Sequence, residues 1–339
     1  MRWMTLILSP LMMFAATGCG EPEGGVLKIF HAGSLSVPFQ ELEGMYEAQH
    51  PGVDVQRESY GSATAIRQVT ELGRPADVVG SADYRLIDQL MVDAEPSHAD
   101  WNVLFARNAI ILAYTDPDDP ITTENWAEVL ADPDVRVGMS SPNQDPCGYR
   151  SLYTVHLADT ALGADGLFQR LVLDNSNVTV EESDGGHVIN VPSDVRYTGR
   201  LTMRPKETDL LALLEAGAID YLFIYRSVAA QHDLPFVELP EEVNLSSPAL
   251  ADDYGQVSVR QYADQPDKAM LVQASPIVYG VTVPSEAPNR VAGEAFVELL
   301  LSDAGREVLS RNGQAPLDPP VLSRSSSKEA APFDLQLLD

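Results

Sequence analysis

Two Gly-Ser pairs lie where the pattern of a strand gives way to the pattern of a helix. Gly33 and Ser34 follow the apolar run 26–30, and Gly61 and Ser62 stand at the start of a second helical pattern. The first turn of a helix leaves up to four backbone N–H groups unpaired and carries about half a positive charge, to which a Ser hydroxyl adds a donor. Each pair could therefore bind an anion, although either Ser alone could simply cap its helix.

Two further helix starts carry carboxylates. Asp145 and Pro146, followed by Cys147, are typical of an N-cap residue with Pro at the first helical position. The Pro-led segment 204–210 places Glu207 near a first turn, where a carboxylate interacts favourably with the helix dipole. On composition alone, capping explains both. If both carboxylates lined an anion site in ionised form, they would repel the anion.

The cysteines and histidines do not form a recognisable catalytic set. A nucleophilic thiolate needs a basic partner, and none of the six His residues has a readable relation to Cys147. The sequence also contains neither a Walker loop nor a dinucleotide fingerprint. We therefore expect Cys147 to be a small packed or loop thiol, and we expect no enzyme activity.

Strand and helix patterns alternate along the chain, as is typical of an α/β fold. One alternation begins at Val26, and the apolar run 109–114 leads into a second. A length of 339 residues suits two such domains. We predict that lobe 1 comprises residues 26–108 plus 279–320, that lobe 2 comprises 109–278, and that 321–339 form a weakly ordered tail.

The N-terminus is typical of an export signal. Arg2 precedes an apolar run, and Thr17-Gly18-Cys19 resembles the lipobox at which bacterial lipoprotein signals are cleaved and the Cys is acylated. Residues 1–18 are then a signal peptide and 19–25 a lipidated tether; an ordinary signal with an incidental Cys is the alternative. We expect an exported protein, in the periplasm or on the outer face of the cell membrane, anchored by lipid at Cys19.

The strong negative charge excludes one class of partner and constrains another. A net charge of −28 leaves no basic surface for the phosphates of a nucleic acid. If the protein binds a small anion, the attraction must come from local dipoles and not from net charge. No interior stretch approaches the ~18 uninterrupted apolar residues of a membrane-spanning helix.

Several segments together resemble the tungstate/molybdate-binding proteins of ABC importers. The resemblance extends from about Val26 to Leu317, and its most specific part is the Asp-Pro-Cys-Gly-Tyr-Arg-Ser sequence. It implies a type II periplasmic-binding fold, with two α/β lobes, two chain crossings and a ligand cleft between the lobes. It also implies a monomeric receptor without a cofactor that delivers its ligand to a membrane permease. The segments that carry the resemblance are 30–35, 145–151, 204–207, 220–229 and 276–280.

The resemblance also implies a set of ligand-binding positions. Asp145 and Glu207 match carboxylates that bond to the tungsten or molybdenum itself and convert a four-oxygen anion to a six-coordinate one. A receptor of the same fold for sulfate or phosphate is the alternative, and it would be favoured if these two carboxylates were remote from the cleft. The implied positions are Gly33, Ser34, Ser62, Asp145, Pro146, Cys147, Glu207 and Tyr225.

Overall fold

The computed structural model describes residues 25–115, 121–164, 166–183, 185–262 and 268–338. The predicted signal peptide and Cys19 lie outside these residues. Within them the strands form three sheets. The strands are β1 Val26–Ala32, β2 Asp54–Tyr60, β3 Val78–Ser81, β4 Val103–Arg107, β5 Ile110–Ala113, β6 Val137–Ser140, β7 Thr179–Ser183, β8 Gly186–Asn190, β9 Leu201–Arg204, β10 Tyr221–Tyr225, β11 Phe236–Glu238, β12 Val257–Gln261, β13 Met270–Gln273, β14 Val278–Thr282 and β15 Ala315–Leu322.

Short and long helices alternate with these strands. Single 3₁₀ turns at Gly33–Leu35 and Glu207–Leu210 each run directly into a helix. None of the helices in the described ranges is long and apolar enough to cross a membrane. The helices are α1 Ser36–Gln49, α2 Ser62–Thr70, α3 Tyr84–Ile87, α4 Trp126–Ala131, α5 Pro146–Ala161, α6 Leu167–Leu171, α7 Leu211–Glu215, α8 Arg226–Gln231, α9 Glu241–Asn244, α10 Ala251–Tyr254, α11 Arg290–Leu301 and α12 Asp303–Arg311.

The first lobe is built on a six-stranded mixed sheet with the order β15-β4-β14-β3-β1-β2. Helix α1 covers it with Phe39, Leu42 and Tyr46, which are fully buried and recur at helical spacing on one face. The Phe39 ring lies 5.6 Å from that of Phe296, so α1 and α11 share one core. This packing fixes the carboxyl end of β1, from which the Gly33–Leu35 turn emerges.

The second lobe contains a five-stranded sheet, β11-β5-β10-β6-β9, and a four-stranded sheet, β13-β12-β8-β7. Helix α5 contacts β6 and β10 of the larger sheet and β12 of the smaller one. Every residue from Pro146 to Ala158 is buried, as expected of a helix packed on all sides. The start of α5 is therefore held firmly at the edge of the lobe.

The chain crosses between the lobes twice. It leaves the first lobe between Arg107 and Ile110, where β4 ends and β5 begins, and it returns between β13 and β14. The crossings touch, because the Asn108 N–H donates to the Ile277 carbonyl at 3.3 Å.

The C-terminal segment differs from the predicted weakly ordered tail. Strand β15 continues to Leu322, whose N–H donates to the Gln336 carbonyl at 2.8 Å. Phe333 packs edge-on against the buried Trp101, with ring centroids 5.5 Å apart. The Ser-rich and charged start of the segment suggested weak order, although apolar residues follow it. Ser323, at that start, is itself fully buried.

A buried carboxylate attaches this segment to the first lobe. Asp88 is 8% exposed, and its Oδ1 accepts hydrogen bonds from Asn102 Nδ2 at 2.9 Å and Ser323 Oγ at 2.6 Å. Burial raises the pKa of Asp88 from an ordinary 3.8 to about 6, although the two hydrogen bonds oppose the rise. The folded protein therefore holds a proton at Asp88 that the unfolded chain has released between these two pH values.

Asp88→Asn is expected to stabilise the protein at neutral pH. The stability associated with protonated Asp88 is present at low pH and is lost as the pH rises through about 6. A pKa difference of this size corresponds to roughly 3 kcal/mol, which the neutral amide would recover. Urea unfolding at pH 4.5 and 7.5, with the exposed Asp252→Asn as control, checks this. If the gain in free energy of unfolding of Asp88→Asn over the wild type is as large at pH 4.5 as at pH 7.5, this prediction is wrong.

Candidate anion site between the lobes

The turn Gly33–Leu35 presents Ser34 at the inner edge of the first lobe. Ser34 is fully buried, and its Oγ accepts a hydrogen bond from the Tyr279 hydroxyl at 2.9 Å. Its carbonyl accepts a hydrogen bond from Gln314 Nε2 at 3.0 Å, which ties the turn to the end of the α12 region. The turn is thus held by both its side chain and its backbone.

Glu207 from the second lobe lies directly against this turn. A Cβ placed on Gly33 would be 3.1 Å from Glu207 Oε1 and 3.3 Å from Oε2. Glu207 is 1% exposed, although it belongs to a residue type that is seldom buried without a partner. The structure therefore brings together two predicted site residues that are far apart in the sequence.

Asp145 joins the start of α5 to the Glu207–Leu210 turn. Its Oδ1 accepts from the Cys147 N–H at 3.2 Å, which is the N-cap hydrogen bond indicated by the sequence. Its Oδ2 accepts from the Glu207 N–H at 2.9 Å. Asp145 is thus both a cap and a neighbour of the second carboxylate, and each of its oxygens keeps a further lone pair.

The Glu207 carboxylate has no hydrogen-bond partner among the described residues. Burial, the adjacent negative charge of Asp145 and the hydrogen bond that a protonated Glu207 makes to the Asp145 carboxylate raise the pKa of Glu207 well above its usual value. A buried carboxylate without a partner is costly unless it takes up a proton or bonds to an electropositive centre.

Two more predicted residues contribute hydroxyl groups. Ser62 is the first residue of α2, and its Oγ accepts from the Ala82 N–H at 2.9 Å. Tyr225 ends β10, and its hydroxyl accepts from Arg150 Nη1 at 2.8 Å. Because each hydroxyl accepts a hydrogen bond from the protein, its own hydrogen is free to be donated elsewhere.

Pro146 and Cys147 form the buried start of α5. Pro146 has no N–H to offer, and the Cys147 N–H is taken by Asp145. Burial, with the negative charges of Asp145 and Glu207, raises the pKa of the Cys147 thiol well above its usual value. The thiol is thus held in its protonated form, and its Sγ lies 3.8 Å from the Phe223 carbonyl of β10.

Arg150 was not singled out as a site residue in the sequence analysis, yet it links the lobes. It is 1% exposed, its Nη1 donates to the Ala82 carbonyl at 2.6 Å, and its Nη2 lies 3.3 Å from Asp83 Oδ2. The Tyr149 hydroxyl donates to the same Asp83 oxygen at 2.7 Å. Burial opposes ionisation of Asp83, but Arg85 and Arg150 hold its pKa below the usual range. No local sequence pattern indicates the contact of Arg150 with Ala82, because the two residues are 68 positions apart.

The lobes also meet at Gly61. A Cβ on Gly61 would lie 2.3 Å from the Gln144 carbonyl oxygen and 3.3 Å from Asp145 Cβ. The first of these neighbours is backbone, so it cannot move aside as a flexible side chain would. The described lobes are therefore in contact on both sides of the cleft, with the carboxylates enclosed.

The two-lobed α/β fold with an enclosed cleft is that of a solute-binding protein. In the described residues no group of three or more His, Cys, Asp or Glu side chains could hold a metal ion. The chain belongs to the bacterial extracellular solute-binding protein family, whose sequence pattern matches residues 27–314. This family consists of receptors and not of enzymes, which agrees with the expectation from the sequence.

Comparison with individual proteins supports the same assignment. The chain is 43% identical over 338 residues to the molybdate/tungstate-binding protein WtpA of Pyrococcus abyssi, covering 95% of each. In structure it is similar to the Azotobacter vinelandii periplasmic molybdate-binding protein, with a TM-score of 0.60 and 16% identity over 85% of this chain and 98% of that one. The sulfate-binding protein SubI of Mycobacterium tuberculosis gives a TM-score of 0.60 and 15% identity over 92% and 93%. The predicted two-lobed α/β fold is confirmed, and fold alone does not distinguish these anions.

Gly61→Ala is expected to weaken anion binding without destabilising the separated lobes. The added methyl group would meet the Gln144 carbonyl only when the lobes close. An overpacking cost of about 1–3 kcal/mol corresponds to a loss of affinity of roughly five- to a hundredfold. Calorimetric titration with tungstate, molybdate, sulfate and phosphate measures the affinity of Gly61→Ala for each anion.

The matched control is Gly44→Ala in α1, where an added Cβ meets nothing within 4 Å. This variant should bind as the wild type does. Equal affinity of Gly61→Ala and Gly44→Ala would show that the contact at Gly61 is not part of the bound state.

Proposed function

We propose that this protein captures tungstate or molybdate in the cleft and delivers it to the permease of an ABC importer. The observation that carries the proposal is the buried Glu207 carboxylate, which lacks a partner among the described residues and lies beside Asp145 and against Gly33. The molybdate/tungstate-binding relative, similar over nearly the whole chain, supports the same ligand class.

If Asp145 and Glu207 were both ionised when the ligand binds, they would repel a dianion. Each pair of unit charges at ~4 Å costs roughly 4 kcal/mol at an effective dielectric constant of about 20. The repulsion is overcome if the carboxylate oxygens bond to tungsten or molybdenum, which can expand from four to six oxygen neighbours. Sulfur and phosphorus do not readily do so. Asp145 and Glu207 would therefore accept a metal oxyanion and reject its commoner competitors.

The oxygens of the anion would be bound by hydroxyl groups. Ser34, Ser62 and Tyr225 each accept a hydrogen bond from the protein, which leaves each hydroxyl hydrogen for the ligand. Donors come from both lobes, since Ser34 and Ser62 lie in the first and Tyr225 in the second. Binding would thus favour the closed arrangement.

A receptor for sulfate or phosphate is the less favoured candidate. It would be favoured if Asp145 and Glu207 were remote from the cleft, whereas both are buried and the Glu207 N–H donates to Asp145 Oδ2 at 2.9 Å. Similarity to a sulfate-binding protein at 15% identity concerns the fold only.

Titration of the purified protein with the four oxyanions tests the proposal. Wild type should bind tungstate and molybdate far more tightly than sulfate and phosphate. Glu207→Gln should weaken tungstate binding at least tenfold, because an amide is a poorer ligand for the metal. The difference between the affinities for tungstate and for sulfate should become smaller. Asp145→Asn should act in the same direction.

The control is Asp220→Asn, which removes a carboxylate paired with Arg136 at the surface of the second lobe. It should leave all four affinities unchanged. Sulfate binding that matches or exceeds tungstate binding in the wild type would contradict the proposed ligand.

We further propose that the mature protein is held at the membrane through acylated Cys19, which lies outside the described residues. The support is the lipobox-like Thr17-Gly18-Cys19 sequence. Cys19→Ser should move the protein from the membrane fraction to the soluble fraction of expressing cells. Retention of the variant in the membrane fraction, or an intact mass without acyl chains on wild-type Cys19, would exclude the anchor.

A further inference from the structure

The two chain crossings meet behind the Ser34 turn. Asn108 lies in the first crossing and Tyr279 in β14, just after the second. Asn108 Nδ2 donates to the Tyr279 hydroxyl at 2.8 Å, and that hydroxyl donates to Ser34 Oγ at 2.9 Å. All three side chains are buried, so water does not compete for these hydrogen bonds.

The direction of this chain of hydrogen bonds is fixed at Asn108. Its Oδ1 accepts from the backbone N–H groups of Ala109 at 2.9 Å and Ser227 at 3.3 Å. A backbone N–H can only donate, so this end of the amide must be the oxygen. The other end is therefore the NH₂ group, which donates to Ser227 Oγ at 2.7 Å and to Tyr279.

Hydrogen-bond donation therefore runs from Asn108 to Tyr279 and from Tyr279 to Ser34. A phenol that accepts from an NH₂ group directs its single hydrogen to its other neighbour, which is Ser34 Oγ. Burial raises the pKa of Tyr279, so its hydroxyl keeps that hydrogen. Ser34 Oγ is then an acceptor on this side, and its own hydrogen donates to no group in the described part of the chain. Ser34 follows Gly33 in the turn that Glu207 contacts, since a Cβ on Gly33 would be 3.1 Å from Glu207 Oε1. The residue that carries this hydrogen therefore lies at the edge of the proposed anion site.

We propose that Asn108 and Tyr279 are positioning residues that hold the Ser34 hydroxyl as a hydrogen-bond donor to the bound oxyanion. The proposal rests on the proposed function of the cleft. Neither residue needs to touch the ligand, because each acts through the next hydroxyl in the chain. Without Tyr279 the Ser34 hydroxyl loses the partner that fixes its rotation, and its hydrogen need no longer point to the ligand. Since any tetrahedral oxyanion offers acceptor oxygens, the effect should extend to every anion that the cleft binds.

A double-mutant cycle of Tyr279→Phe and Ser34→Ala tests the proposal, with the tungstate affinity as readout. Each single variant should weaken binding about tenfold, the size of one hydrogen bond to a charged acceptor. The double variant should bind no more weakly than Ser34→Ala alone, because Tyr279 has no hydroxyl left to orient. A merely structural role for Tyr279 would instead give additive losses.

Tyr46→Phe is the matched control, since Tyr46 is also fully buried in the first lobe and its hydroxyl donates to the Ala292 carbonyl at 3.1 Å. It should bind tungstate as the wild type does. Melting temperatures of the ligand-free variants separate loss of binding from loss of folding. If Tyr279→Phe is too unstable to titrate, Asn108→Ser replaces it in the cycle, because this change removes the amide donor. The double variant of Asn108→Ser with Ser34→Ala should again bind no more weakly than Ser34→Ala alone.

Wild-type affinity of Tyr279→Phe, or losses that simply add, would overturn the proposal. If the wild type prefers sulfate or phosphate, the proposed ligand is wrong, and the same cycle with that anion decides the role of Tyr279 separately. A wild type that binds none of the four oxyanions would overturn both.

Discussion

The structure depends on one unfavourable arrangement, which is a carboxylate buried without a hydrogen-bond partner among the described residues. Glu207 is removed from water beside a second buried carboxylate, Asp145. Such a group is tolerated only where the surrounding structure holds it in place. Asp145 does so by accepting the Glu207 N–H while it caps α5, and the buried helix α5 fixes Asp145 in turn. The pair thus belongs to the framework of the second lobe and is presented to the Gly33 turn of the first.

The acidity of the protein does not prevent this site from binding an anion, because the relevant charges and dipoles are local. A net charge of −28 is spread over the whole chain. In the proposed site, hydroxyl groups from both lobes would donate to the anion, and Arg150 supplies a buried positive charge that is shared with Asp83 across the lobes. At physiological ionic strength, surface charges more than about 8–10 Å away are largely screened, whereas buried groups are not. Closure of the lobes would therefore bring the proposed donors together and exclude water from them.

The sequence predicts the features that depend on neighbouring residues. Alternating strand and helix patterns, the Pro at the start of α5 and the Asp145 cap are local, and the structure contains them. The pairing of Asn108 with Tyr279 joins residues 171 positions apart, and no local pattern indicates it. Arg150 stood inside a motif that carried the family resemblance, but its role depends on a partner in the other lobe. The packing of the C-terminal segment depends on a contact between Phe333 and Trp101, which lie far apart in the chain, so no local pattern indicates it.

Direct bonds from Asp145 and Glu207 to the metal of the oxyanion are the core of the proposed binding mode. X-ray absorption spectroscopy at the tungsten edge, on the wild-type protein saturated with tungstate, measures the number and distances of the oxygen neighbours. We expect six oxygens, four at the short distances of the oxyanion and two longer ones from the carboxylates. A spectrum with four short oxygens alone would contradict it, and the cleft would then be a hydrogen-bonding pocket in which the two carboxylates do not bond to the metal.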